Sequence, residues 1–229
     1  MPSPPIPRGA LPALAVLAVA VVASGLAPHD RRVWLAENVL VVFLAGWLAL
    51  TARSFPLSPL SYALVLAFLV LHEIGAHFTY PRVPYDTAIA RWTGVSVDDA
   101  LGFDRNHWDR FVHAAFGLAF AWPLREVARR LAGVRGFWAM ALPVAFVMAI
   151  GLVYEFIEWG VAVRMGVGPA SAFLGAQGDP WDAHHDLLLA SVGAVVTVAI
   201  GAAVDAARDP RAFAREWRES VRVKASSAG

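Results

Sequence analysis

The sequence predicts an all-α protein: an integral membrane bundle of six transmembrane helices followed by a C-terminal amphipathic helix. Three observations carry this reading. Of the 229 residues, 58% are hydrophobic and only 16% are charged, against roughly a quarter charged in soluble domains. Mean hydropathy is +0.56. Six mostly apolar stretches run near 10–28, 33–53, 57–78, 109–131, 137–163 and 185–206, each near the ~20 residues that a hydrocarbon core of about 30 Å demands. None alternates with the period of two that a membrane β-barrel needs. No internal repeat supports an inverted-repeat transporter. A net charge of +1 marks no nucleic-acid partner, and the expected surroundings are membrane lipids. The chain has no cysteine, which excludes disulfide scaffolds, zinc fingers, iron–sulfur sites and thiol catalysis.

Taken in order, the first span runs from Ala10 to Ala27. A signal peptide is the alternative, with Arg8 ahead of it and small residues from Ala23 to Ala27, but the run is long for a signal core. Pro123 and Pro143 fall inside spans four and five, where each removes one backbone donor and predicts a kink. Abundant Ala, Val and Gly suit packed membrane helices. The sixth span closes a transmembrane domain of residues 1–207, and 208–229 form a basic tail. There Phe213, Trp217 and Val221 recur every four residues, with Arg211, Arg215, Arg218 and Arg222 on other faces. That pattern predicts an interfacial helix on an anionic inner leaflet; a solvated charged tail is the alternative.

Ionisable residues inside apolar spans each cost at least ~2.5–3.5 kcal/mol by insertion scales. Span three ends in His72-Glu73-Ile74-Gly75-Ala76-His77, and span four opens with Asn106-His107-Trp108-Asp109-Arg110 followed by His113. Span five carries Glu155 and Glu158, and span six opens with Asp179-Pro180-Trp181-Asp182 before His184, His185 and Asp186. Residues three or four apart share a helix face. Glu73 pairs with His77, Asp109 with His113, Glu155 with Glu158, and Asp182 with Asp186. At 1.5 Å per residue the pairs within spans lie roughly 8 to 12 Å below one surface, so all four pairs are expected to converge on one cavity.

Crowded carboxylates require protons, arginines or a metal. His with Asp or Glu from several helices is ligand chemistry for Zn²⁺, Mn²⁺ or Fe²⁺. The expected metal ligands are His77, His113, Glu73, Asp182 and Asp186. Glu155, Glu158 and Asp109 are the candidate catalytic bases, and Asn106, Arg110, Gln177 and Trp181 the candidate substrate contacts. His72-Glu73-x-x-x-His77 is not the zinc motif His-Glu-x-x-His, because its second His is one residue late. Each residue also has a plainer role: Asp109 and Asp182 as helix caps, and Asp109–Arg110 or Asp104–Arg105 as surface pairs. Capping cannot explain Glu155 and Glu158, which lie well inside a span.

Four motifs occur in order: His72-Glu73-Ile74-Gly75-Ala76-His77-Phe78-Thr79-Tyr80, Arg105-Asn106-His107-Trp108-Asp109-Arg110 with His113, Glu155-Phe156-Ile157-Glu158-Trp159, and Phe173-Leu174-Gly175-Ala176-Gln177-Gly178-Asp179-Pro180-Trp181-Asp182. Together they resemble the YjdF-like bacterial inner-membrane proteins over roughly 35–205. The resemblance implies architecture and inner-membrane location, and no activity. His184 and His185 depart from that family's pattern and are not counted as ligands. So does the apolar Ala114-Ala115-Phe116 after His113. A shorter pattern, Asp109-Arg110-x-x-His113, the Glu155/Glu158 pair and Asp182-x-x-x-Asp186 with Gly193-Ala194, is similar to VanZ-like membrane proteins and implies a cell-envelope role at the outer leaflet.

Three functional readings follow. One is a metal-assisted hydrolase or transferase acting on a lipid or envelope amphiphile. The others are a cation- or proton-coupled transporter or binder, and a scaffold whose polar cluster locks helix packing. Orientation follows from basic residues. Twelve of the 19 Lys and Arg fall on the side of Arg8, Arg53, the 125–135 loop and the tail, up to Lys224, which the positive-inside rule assigns to the cytoplasm. Reporter fusions at Gly133 are therefore expected to read cytoplasmic and fusions at Gly94 external. An external Gly133 reverses the orientation and moves the polar layer to the inner face.

Overall fold

The computed structural model describes residues 10–165 and 177–222, and their regular structure is entirely helical. Arg8, Lys224 and the motif segment from Phe173 to Ala176 lie outside the described residues. The long helices are α1 (Ala10–Gly25), α2 (Arg31–Thr51) and α3 (Pro59–Phe78), then α6 (Trp108–Leu131), α7 (Trp138–Met165) and α8 (Asp182–Arg208). A 3₁₀ turn (Tyr80–Arg82) and two short helices, α4 (Tyr85–Thr93) and α5 (Val97–Leu101), fill the connection between α3 and α6, and α9 (Pro210–Ser220) ends the described chain.

Two of the early helix starts have a local cause. The Asp30 carboxylate accepts the Arg32 and Val33 N–H groups at 2.8 and 3.2 Å and caps α2. Ser58 caps α3, with Pro59 at the first helical position, where its missing N–H costs nothing. Pro123 and Pro143 lie inside helices that run on through them, as membrane helices tolerate when neighbours satisfy the freed groups.

Among the described residues, four helices are long and apolar enough to cross a membrane: α2, α3, α7 as far as Val161, and α8. The apolar α1 has 16 residues. α6 has the length, 24 residues, but carries Asp109 and Arg110 at its start and Arg125, Glu126, Arg129 and Arg130 near its end. Packing explains that composition. α6 is the central helix, lying against α3, α7 and α8, while α1 and α2 pack on α3. A helix enclosed by protein needs no apolar perimeter, whereas one facing lipid does. On α8 the exposed large apolar residues include Leu188, Val192, Val195, Val196 and Ile200, an apolar stripe at helical spacing.

α6 and α8 approach most closely. A Cβ on Gly117 would lie 1.9 Å from the Ala190 carbonyl oxygen, and one on Gly193 would lie 2.4 Å from that of Ala114. Ala121, Ala190 and Ala194 are fully buried beside these glycines, and Thr197 Oγ1 donates to the Leu118 carbonyl at 2.7 Å. Small residues let two backbones touch where the hydrophobic effect cannot drive helices together. The helices run parallel, so Asp109 meets Asp186 above this contact and Arg125 meets Asp205 below it.

At the lower end Arg125 and Arg129 share Asp205. Glu126 accepts from the Ser58 backbone N–H and from Ser61 Oγ at 2.7 Å. The α9 helix folds back here: Ser220 Oγ accepts the Phe137 N–H at 2.9 Å, Glu216 faces Arg135, and the Trp217 ring lies 5.8 Å from that of Phe137.

Gly193→Leu is expected to destabilise the bundle by at least the ~1–3 kcal/mol typical of overpacking, because its Cβ would meet backbone that cannot move aside. Gly46→Leu on α2, with nothing within 4 Å of the new Cβ, is expected to leave Tm unchanged. Thermal unfolding of detergent-purified variants checks both.

Candidate functional site

The helix ends nearest the α3–α6 connection gather a buried polar layer. Its centre is Asp109 and His113, one turn apart on α6, with Asp186 from α8. One ligand atom from each of the three lies within 4.8 Å of the others, and all three residues are buried. His113 Nε2 sits 3.7 Å from Asp109 Oδ1 and 3.7 Å from Glu155 Oε1 on α7. Asp186 Oδ1 and Glu155 Oε1 are buried without a hydrogen-bond partner. Glu158, one turn further along α7, is buried within electrostatic reach of Asp109, Glu155, Glu37 and Asp186. Helices α6, α7 and α8 thus bring Asp109, His113, Glu155, Glu158 and Asp186 together.

Asp182 lies on the rim. Arg105 holds it at 2.8 Å and also reaches Asp179 at 3.3 Å, and Arg110 pairs with Asp179 from the other side. His185 Nδ1 is 3.0 Å from the same Asp179 oxygen. Neither α6 nor α8 begins with the expected aspartate cap. Their starts are His107 and Trp181 without side-chain capping, and Asp109 and Asp182 sit buried in the first turn.

Glu73 and His77 belong to a separate cluster between α1, α2 and α3. Glu73 accepts the Ser24 hydroxyl, Ser24 accepts from Trp34 Nε1 at 3.0 Å, and His77 Nδ1 is 2.8 Å from the Ser24 carbonyl. Neither joins the Asp109–His113–Asp186 group. Among the expected substrate contacts, Asn106 donates to the Val83 carbonyl at 2.8 Å and accepts the Trp108 N–H, while Gln177 donates to the Asn106 carbonyl at 2.7 Å. These bonds order the connection over the site. Trp181 is exposed.

Between the two clusters stands a group that local spacing does not flag. Glu37 on α2 is buried and accepts the Tyr154 hydroxyl at 3.2 Å. His72 Nε2 lies 3.3 Å from the Glu37 carbonyl, and its Nδ1 is 2.6 Å from the Tyr80 hydroxyl. Gly75 makes room for Tyr80: a Cβ there would lie 2.7 Å from its ring. Glu37 carried one usable signal, being the acidic residue within the apolar run 33–53, where a charge asks for a reason. Tyr80 and Tyr154 carried none.

A cavity of about 250 Å³ adjoins this layer, with Asp109, His113, His72, Tyr80 and Tyr154 in its wall. Above it the α3–α6 connection is held by its own bonds. Asp86 accepts the Val97 and Asp98 N–H groups at 2.6 and 3.1 Å, and the Tyr85 hydroxyl donates to Asp98 at 2.5 Å and accepts the His107 N–H at 3.1 Å. Burial, and then the bond to Asp98, pushes the Tyr85 phenol up to about 12, so it stays a donor at neutral pH.

The N–H of Trp181, donated to Asp179, holds that carboxyl below the usual aspartate range, with smaller help from His185 and Arg110. A carboxyl lowered on folding adds stability above its unfolded value, about 3.9 for aspartate, and that stability is lost as pH falls through the folded value. Asp179→Asn is therefore expected to lower Tm at neutral pH. The gap from wild type should narrow only below about pH 3.9, as measured in a Tm series against pH. A gap unchanged at pH 3 would mean that Asp179 acts through shape rather than charge.

A family model described as a predicted membrane protein, DUF2238, matches residues 10–207. The inner membrane protein YjdF of Escherichia coli (strain K12) is 37% identical over 183 residues, covering 80% of this chain and 83% of that protein. No solved structure matches. With the four motifs and the helical architecture already in view, the chain belongs to the YjdF-like family of predicted membrane proteins.

Proposed function

We propose that this protein is a six-span inner-membrane protein with both termini cytoplasmic, which holds a divalent cation at Asp109, His113 and Asp186 and acts on a lipid or envelope amphiphile. The single observation that carries the metal is the buried triad, with ligand atoms within 4.8 Å of one another. Support comes from Asp186 Oδ1, which is buried and unpartnered. A carboxylate–imidazole–carboxylate donor set suits Zn²⁺, Mn²⁺ or Fe²⁺. The six-span count adds α1 and α6 to the four helices that qualify by length and composition, on the ground that α6 is shielded from lipid by its neighbours.

A cation at such a site supplies Lewis acidity, lowering the pKa of bound water and polarising an acyl or phosphoryl oxygen. The protein's own groups divide the remaining work. Glu155 is the base in this reading, since its free Oε1 lies beside His113 and can take a proton from an attacking oxygen. Arg105 and Arg110 hold Asp182 and Asp179 at the rim, which keeps those carboxylates out of the ligand set.

Elemental analysis of detergent-purified protein, expressed in metal-replete medium, tests the proposal. Wild type and Glu155→Gln are expected to hold stoichiometric metal, and His113→Ala and Asp186→Asn to lose it. At about a hundredfold excess over Kd, an ion binding only the native state adds about 2.7 kcal/mol of stability, so wild type should show a thermal shift that His113→Ala lacks. Binding displaces protons from the site, so affinity should fall with pH. Wild type with neither metal nor thermal shift would overturn the metal reading and leave the row of carboxylates as a proton or cation relay.

A further inference from the structure

The cavity of about 250 Å³ has a direction. Three helices each put a polar side chain into its wall and an apolar one a turn deeper: His72 above Phe68 on α3, Tyr154 above Ile150 on α7, and Asp109 and His113 above Phe116 and Phe120 on α6. Leu40 and Leu44 of α2 line the deeper part, below Glu37. From Asp109 to Phe120 is about 16 Å along α6 at 1.5 Å per residue. One end is therefore bordered by polar side chains and aligned with the proposed site, the other is aromatic, and the wall between them is apolar.

The cavity also has a side entrance. α2 packs on α1 and α3, while α7 packs on α6 and α8, so the two flanking helices belong to different halves of the bundle. The Tyr154 hydroxyl bonded to Glu37 ties them together at the polar level. Below that tie, Phe43 is 68% exposed and Ile150 43% exposed, although both line the cavity. In a bilayer, an opening at that depth faces hydrocarbon.

From this geometry we infer that the cavity takes a single hydrocarbon chain of a membrane amphiphile, entering sideways between α2 and α7, with its polar end at Asp109 and His113. An apolar cavity of about 150 Å³ already takes benzene and excludes water. The present one is larger and elongated, enough for part of one chain and too small for a whole two-chain lipid. The inference rests on the amphiphile reading for what happens at the polar end, but chain binding itself needs only the apolar wall.

The test uses the full-length protein in phosphatidylethanolamine–phosphatidylglycerol nanodiscs, with a trace of monoacylglycerol carrying a diazirine in its chain; adducts are mapped by mass spectrometry after illumination. The expected result is labelling concentrated on the 40–44 and 116–120 segments. Leu44→Trp, which fills the cavity, should reduce it severalfold. Leu50→Trp, on the exposed face of the same helix outside the cavity, should leave it unchanged. If Leu44→Trp loses its wild-type Tm, Ile150→Trp fills the space from the opposite wall. Labelling spread evenly over exposed helix faces, or unaffected by a folded cavity-filling variant, overturns the inference. Metal content and chain labelling, both read in wild type, separate the two proposals. Chain labelling retained without any metal in wild type refutes only the metal, and metal without concentrated labelling refutes only the chain site.

Discussion

Backbone contact between α6 and α8 at Gly117 and Gly193 is the constraint on which the rest of the bundle depends. In hydrocarbon, side-chain burial does not drive helices together, so close packing and interhelical hydrogen bonds must do so. Glycine and alanine at this crossing let the carbonyls of Ala114 and Ala190 come to within van der Waals reach of the facing helix. Because the two helices are parallel, that one contact sets the register at both ends. Above it Asp109 and His113 face Asp186; below it Arg125 and Arg129 face Asp205.

A second consequence concerns charge. Ions in a low-dielectric interior are tolerated only when neighbours satisfy them, and removing one partner costs more than the pair is worth. The rim follows that rule, with Arg105 and Arg110 set against Asp179 and Asp182. Glu37 follows it with the hydroxyl donor of Tyr154, and Glu73 in part, with one oxygen bonded to Ser24 and the other open. The centre departs from it, since Asp186 and Glu155 each keep an unpartnered oxygen in a buried position. Two carboxylates with an open buried oxygen on either side of His113, with Asp109 within ligand distance of it, are the reason to place the chemistry there rather than at the ion pairs of the rim.

The two proposals share one geometric origin. α3, α6 and α7 change from polar to apolar at the same level, so the cavity narrows the choice of ligand to molecules with the same polarity along their length. Among the described residues the hydrogen bond between Glu37 and Tyr154 ties α2 to α7, while α2 packs mainly on α3, so separating α2 from α7 disturbs little of the core. The close contact of α6 with α8 supplies the rigid wall opposite.

Much of this was legible in the sequence because its causes are local. Apolar length sets where helices run, and the six long helices fall within a few residues of the predicted stretches. Spacing of three and four along a helix put Asp109 with His113 and Glu155 with Glu158, and depth put those pairs in one layer. Spacing along a helix is blind to azimuth between helices. It therefore grouped Glu73 and His77 with the others, whereas α3 turns them toward Ser24 on α1. Likewise, only packing gave Glu37 a partner in Tyr154, 117 positions away, assigned Asp182 to Arg105, and left Asp186 open. Which residues share a helix face is fixed by 3.6 residues per turn; which faces meet is decided by where two backbones can touch, here at Gly117 and Gly193.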